Sequence, residues 1–131
     1  MKLKIVNSAV SILKYYLHNF PIWELFINFD KRINLRIISK KTLRDFWEKH
    51  SDSKQQLLSW YQESSKSNWE TPNDIKKEYP SASVLLKNRI VFNIKGNTYR
   101  LIVKINYEHK IIWIRFIGTH SEYNKIDANK I

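Results

Sequence analysis

Residues 89–117 read RIVFNIKGNTYRLIVKINYEHKIIWIRFI, and this run decides the fold. Arg89 to Ile94 alternates and is rich in β-branched residues, which predicts a strand. Lys95-Gly96-Asn97 is a tight turn in which Gly96 can take positive φ. Thr98 to Ile105 is the next strand, Asn106 to Lys110 a second turn, and Ile111 to Ile117 a third strand. Three strands joined by short turns predict an antiparallel meander.

Period 2 sorts their side chains onto two faces. Tyr99, Leu101, Val103 and Ile105 form one set of the middle strand, and Arg100, Ile102 and Lys104 the other. In the last strand Ile112, Ile114 and Phe116 alternate with Ile111, Trp113, Arg115 and Ile117. In the first, Ile90, Phe92 and Ile94 read as buried, with Arg89, Val91 and Asn93 outward. Arg89, Arg100, Lys104 and Arg115 are therefore expected close together on one open face. Like charges held together call for an anion, and a phosphate backbone supplies one. The bland alternative is a set of solvated side chains on a half-exposed sheet. The assignment depends on register, because one bulge would turn Arg115 over.

Upstream, helical spacing takes over. Leu43, Phe46 and Trp47 lie on one face of a helix over Thr42 to His50. Ser51 or Ser53 can cap a second helix reaching about Lys66, with Leu57, Leu58 and Tyr61 as its apolar stripe and Trp60 beside it. Trp69 follows in a polar loop and is expected to be the more open indole. Thr71-Pro72-Asn73-Asp74 opens a third helix, with Thr71 as cap, Pro72 at the first position and Asp74 close to a capping box. Pro80 ends it after Tyr79. Ser81 to Leu86 reads as irregular. Helices followed by a meander predict an α+β domain with the helices on one face.

Residues 1–34 differ. Twelve apolar residues crowd between Ile12 and Phe29, interrupted by Lys14, His18, Pro21 and Glu24. Those breaks argue against a transmembrane span, and no small-residue cleavage site follows, so one or two short helices broken near Pro21 are expected. The chain is thus divided into an apolar extension, 1–34, and a main domain, 35–131.

Charge narrows the partners. Lys and Arg number 23 against 12 Asp and Glu, a net +11 in 131 residues. Residues 35–131 hold eighteen basic and ten acidic side chains and stay basic alone. Such a surface attracts polyanions, nucleic acid first, though an acidic protein or an anionic membrane surface also fits. With no cysteine, disulfides and thiol nucleophiles are excluded, and a cytoplasmic protein is expected. His18, His50, His109 and His120 are too scattered for a metal pair, so neither a metal nor another cofactor is expected.

The segment Gly118-Thr119-His120-Ser121-Glu122-Tyr123 adds proton-moving groups beside the basic face. His120 and Tyr123, three apart, suit one helical turn. Histidine is matched to proton transfer near neutral pH, and a tyrosine hydroxyl can donate a hydrogen bond. RNA cleavage needs little more, since the 2′-hydroxyl sits beside its own phosphate. The protein must orient the ribose, take the 2′-proton, protonate the 5′-leaving oxygen and offset phosphoryl charge.

Several stretches resemble one family in order: Ile37 to His50, Trp60-Tyr61, Trp69 to Asp74, Tyr79 to Ser83, Val91 to Asn97, Tyr99 to Ile105 and Ile114 to Tyr123. Over about residues 35–127 the chain resembles the HigB toxins of type II toxin–antitoxin systems, in the RelE-like group of mRNA interferases. The resemblance implies a RelE-like α+β fold with N-terminal helices packed on a twisted antiparallel sheet. It implies an endoribonuclease that cuts mRNA, in company with the ribosome, and so inhibits translation. A cognate HigA-like antitoxin would neutralise it, and operator DNA would be met only through that antitoxin. Arg100, Lys104 and Arg115 match the family's basic positions, and His120 and Tyr123 its closing segment. Asn124 stands where the family usually has Asp. Residues 1–34 lie outside the family pattern.

The assignments are then as follows. His120 is the principal general acid or base, Arg100 and Arg115 hold the scissile phosphate, Lys104 assists, and Tyr123 orients substrate or relays a proton. Arg89, Asn93, Lys95 and Trp69 are candidates for contact with flanking RNA. The alternatives are a noncatalytic RNA- or ribosome-binding module, with Trp47, Trp60 and Trp69 stacking on bases, and a module whose basic face takes an acidic protein.

Overall fold

The computed structural model describes residues 35–131, and the helices expected around Pro21 lie outside the described residues. In chain order come β1 (Arg36–Ile38), α1 (Lys40–Lys49), a 3-10 turn (Ser51–Ser53), α2 (Lys54–Lys66) and α3 (Pro72–Glu78). Then follow β2 (Ser83–Val84), β3 (Arg89–Ile94), β4 (Tyr99–Asn106), β5 (Ile111–Thr119) and the single turn α4 (His120–Tyr123). The class is α+β, with three helices before the meander. No helix among the described residues is long and apolar enough to cross a membrane.

The sheet order is β1-β5-β4-β3-β2. The meander is antiparallel, and β1 joins it parallel to β5, which makes the sheet mixed. A two-residue strand, β2, replaces the irregular stretch expected after Pro80 and pairs with Val91 and Ile90.

Helices and sheet bury one another as their spacing dictates. Leu43 and Trp47 of α1, Leu57 and Trp60 of α2 and Ile75 of α3 meet Ile90, Phe92, Leu101, Val103, Ile105 and Ile112 in one cluster. Each large apolar side chain so buried contributes about 1.5–3 kcal/mol. The start of α3 is as read: the Thr71 Oγ1 accepts from Asp74 N, and Asp74 Oδ2 accepts from Thr71 N at 3.2 Å. These backbone bonds, that from Glu70 foremost, hold the Asp74 carboxyl below its usual range.

Trp69 is a correction. It is 1% exposed, its ring lies 6.2 Å from that of Phe92 and 6.1 Å from that of Tyr79, and its Nε1 donates to Glu78 at 3.0 Å. The polar loop around it hides a core anchor, because the indole turns inward and finds a carboxylate for its one donor. Trp47 and Trp60 are buried as well.

Candidate functional site

The β3–β4 register pairs Arg89 with Lys104, Val91 with Ile102 and Asn93 with Arg100. Paired residues share a face, so these six side chains lie opposite the helices. β5 adds Trp113 opposite Lys104, Phe116 opposite Ile102 and Gly118 opposite Arg100.

A bulge interrupts β5, because Val103 pairs with Ile114 while Ile102 pairs with Phe116. Arg115 is the extra residue. Ile114 and Ile117 pair with the core residues Val103 and Leu101, so Arg115 and Phe116 both fall on the opposite face. Arg115 is exposed there. Strict alternation put Phe116 in the core and Ile117 outside, and the bulge exchanges them. Arg115 itself stays on the side expected of it.

Arg100, Arg115 and Lys104 therefore form a track on one side of the sheet. Arg100 and Lys104 are four residues apart, about 13 Å at the rise of a strand. Arg115 lies between their rows, opposite Ile102.

Arg100 is aimed by its own turn. Its guanidinium donates to the Asn97 carbonyl and to Asn97 Oδ1, both at 3.0 Å. Its carbon lies 5.7 Å from the centroid of the Tyr123 ring, a cation–π distance. Asn97 was missed in sequence, although its place three residues before Arg100 across a tight turn is a readable signal. Lys95, Gly96 and the bonded Thr98 N close that turn with φ of 53° and 61° at the first two.

α4 carries His120 and Tyr123 directly off the end of β5. Thr119 and Glu122 form a second capping box: Glu122 N donates to Thr119 Oγ1 at 3.1 Å, and Thr119 N to Glu122 Oε1 at 2.8 Å. These bonds, that from the Thr119 backbone first, hold the Glu122 carboxyl below its usual range. The His120 backbone N donates to the Thr98 carbonyl at 3.1 Å, and the side chain is exposed. Gly118 makes the close approach possible. A Cβ there would sit 2.5 Å from Phe116 Cζ and 2.9 Å from Glu122 Oε1.

Other expected contacts go elsewhere. Arg89 is a correction: it is 7% exposed, and its Nε and Nη2 donate to the Ile131 carbonyl at 3.0 and 2.7 Å. That carbonyl engages the guanidinium, so Arg89 does not join the exposed cations. Val91 and Ile102 beside it are also buried. The face read as open is closed at its centre. Lys95 is exposed but paired with Asp52 at 2.8 Å, and Tyr99 donates to the same carboxylate at 2.6 Å. Those two bonds, from Lys95 first, depress the Asp52 carboxyl. Asn93 is half-buried, with its amide 3.4 Å from the Ser81 carbonyl. His50, not singled out in sequence, stacks on Phe46 at 4.4 Å and meets Tyr99 at 5.4 Å, where β4 begins. No group of three or more acidic or histidine side chains among the described residues could hold a metal.

The arrangement thus offers three cations on one side of the sheet, a tyrosine packed on one of them, and an exposed imidazole on the same turn as that tyrosine. Comparison with known proteins places the chain in a family. The chain is 29% identical over 96 residues to the mRNA interferase toxin HigB of Escherichia coli strain K12, covering 72% of this chain and 92% of that protein. It is equally similar to the mRNA interferase HigB of Shigella flexneri, and 27% identical over 94 residues to that of Escherichia coli O6:H1, covering 70% and 91%. The model of the HigB toxin family, described as the RelE-like toxic component of a toxin–antitoxin system, matches residues 53–126, and the chain belongs to that family.

Proposed function

We propose that this protein is an mRNA interferase: an endoribonuclease that cuts mRNA, in company with the ribosome, and is neutralised by a cognate antitoxin. The observation that carries the reading is the contact of Arg100 with Tyr123 at the end of the sheet, with His120 exposed on the same turn. Its support from relatives is that the curated proteins named above are mRNA interferases.

The reaction follows from what those groups can do. His120 takes the proton of a ribose 2′-hydroxyl, and the 2′-oxygen forms a bond to the adjacent phosphorus. The bond from phosphorus to the 5′-oxygen breaks, and that oxygen receives a proton from solvent water. The products are a 2′,3′-cyclic phosphate and a 5′-hydroxyl. Arg100 and Arg115 offset charge on the phosphoryl oxygens, Lys104 holds the next phosphate, and Tyr123 orients the ribose by hydrogen bonding. Attack is intramolecular, so positioning and charge carry most of the task.

Primer extension on mRNA after brief expression, with and without ribosomes, tests this. New 5′ ends are expected with the parent protein. Arg115→Ala should abolish them with the fold intact, and His120→Gln should slow cleavage by about 10²–10⁴-fold. Full activity in Arg115→Ala, or a drop below tenfold in His120→Gln, removes that residue from the site. RNA binding without cuts would favour the noncatalytic module instead. Burial of all three candidate indoles already speaks against base stacking on Trp47, Trp60 and Trp69.

A further inference from the structure

The five strands contain no acidic residue, and all their cations, Arg36, Arg89, Arg100, Lys104 and Arg115, share the face away from the helices. Arg36 joins that face through β1. Ile37 pairs with the core residue Ile112 and packs on the helix-side cluster, so its neighbours Arg36 and Ile38 point the other way. Burial divides this face in two. Over β3 it is closed, with Val91 and Arg89 buried. Over β5 and β1 it is open: Arg36 and Arg115 are exposed, and Ile38, Lys104 and Trp113 are half-buried. Neither Arg36, Lys104 nor Arg115 forms a salt bridge among the described residues.

Trp113 stands in the open part. The row across the strands there reads Ile38, Trp113, Lys104, Arg89. Arg115 follows two residues along β5, and Arg36 lies one row the other way, opposite Ile111. Trp113 differs from the other described indoles. Trp47, Trp60 and Trp69 are buried in the helix-side cluster, whereas Trp113 lies outside that cluster and keeps part of its surface in water. A half-buried ring on an outward face gains less from packing than a core ring does. An aromatic ring set among cations, with no carboxylate on the strands, is the arrangement that holds single-stranded RNA: bases stack on the ring and phosphates meet the cations.

We propose that Trp113 is a stacking platform for one base of single-stranded RNA, with Lys104 holding the phosphate on its Arg100 side and Arg36 the phosphate beyond. The strand that meets Arg100 and Arg115 continues along β5 onto the indole. The stacked base is one that flanks the cut, because Trp113 shares the row of Lys104, about 13 Å from Arg100. Every base has a π-face, so the platform adds affinity without selecting a sequence. The proposal rests on the RNA-cleaving reading for its ligand, but it can fail separately.

The test is binding of the full-length protein to a fluorescein-labelled decanucleotide of 2′-O-methyl RNA, which has no 2′-hydroxyl to attack, read by anisotropy over a range of salt. Trp113→Leu keeps an apolar side chain without a ring. It should weaken binding by about fivefold or more, with the slope of log affinity against log salt unchanged. Trp113→Phe restores a ring and should bind within about threefold of the parent. Arg36→Ala should flatten the salt slope by about 0.7, the share of one phosphate on a single strand. Parental affinity in Trp113→Leu overturns the proposal, as do equal losses in the Leu and Phe variants or an unchanged slope in Arg36→Ala. If Trp113→Leu fails to fold, the slope of Arg36→Ala, at an exposed position, decides. Weakened binding of the antitoxin by Trp113→Leu with RNA affinity unchanged would make the patch a protein-docking surface and overturn the proposal too. Cutting by the parent, with parental RNA affinity in Trp113→Leu, would sink the platform and spare the nuclease. Ring-dependent RNA binding by a protein that cuts no mRNA would do the reverse.

Discussion

The two faces of the sheet follow different rules. On the helix side, Leu101, Val103, Ile105 and Ile112 are at most 1% exposed, each at its period-2 position. On the other side, Ile102 is as buried as Leu101, and Arg89 almost so, while Arg115 on the neighbouring strand is exposed. The first face is a packing surface from end to end. The second is a packed centre rimmed by cations at Arg100, Arg115 and Lys104. The lesson is that alternation of charge with apolar residues marks the face away from the helices, but does not say how much of it meets water.

A paired substitution breaks or confirms that distinction. Leu101→Ala and Ile102→Ala remove similar side chains from opposite faces of adjacent positions. Both should cost about 2–5 kcal/mol, the usual range for a fully buried aliphatic truncated to alanine. Urea unfolding measures each. A loss at Leu101 with less than 0.5 kcal/mol at Ile102 would show the second face to be open after all.

Arg89 sharpens the same contrast. A surface arginine is worth little to stability, whereas a buried one bonded to a carbonyl is worth about 1.5–3 kcal/mol. Arg89→Met should lose stability in that range and leave cleavage at temperatures below unfolding within twofold. A cleavage defect without a stability defect would return Arg89 to the proposed phosphate contacts.

The meander, the three helices and the Thr71 capping box were legible because each is written in adjacent residues. Period 2 from Tyr99 to Ile105 and the Thr71-Pro72-Asn73-Asp74 start are local signals, and the structure follows both. What failed was set by distant partners. Nothing between Ile114 and Ile117 marks the bulge, which comes from how β5 lies against β4. Arg89 reads as a surface cation until Ile131, 42 residues on, is seen to accept from it. Trp69 reads as a loop residue until Phe92, Tyr79 and Glu78 surround it. β1 reads as a strand, but its parallel pairing with β5 has no local signature. Of the site, the residue types were legible, Arg100, Lys104 and Arg115 fall on the expected face, and Tyr123 lies against Arg100. The aiming of Arg100 by Asn97 was not.

The two capping boxes compare scaffold with site directly. Thr71→Ala and Thr119→Ala each delete one side-chain acceptor and should cost about 1 kcal/mol by urea unfolding. Thr71 starts a helix packed on the opposite side of the sheet from the cations, so its loss should leave cleavage unchanged under folding conditions. Thr119 fixes the turn that carries His120 and Tyr123, so its loss should lower cleavage severalfold beyond any loss of folded protein. Equal activity in the two variants would mean that α4 does not position the proton-moving groups.

The smallest effect is expected at Tyr107, which packs against the core near the turn between β4 and β5. Its hydroxyl is buried with no hydrogen-bond partner among the described residues. Burial first, and the nearby Asp74 charge second, push it up to about 12 from an ordinary value of 10.0. Between those values the unfolded chain has released the proton and the folded chain keeps it. The unfolded state then binds fewer protons, so stability falls as pH rises. The contribution is fully present below pH 10 and is lost through about pH 12. Tyr107→Phe removes both the orphaned hydroxyl and its titration. At pH 7 the variant should match the parent within about 0.5 kcal/mol or exceed it, because no hydrogen bond is lost. From pH 9 to 11 the parent should lose stability more steeply than the variant. Parallel curves over that interval would place the hydroxyl in water, and with it this end of the packed face.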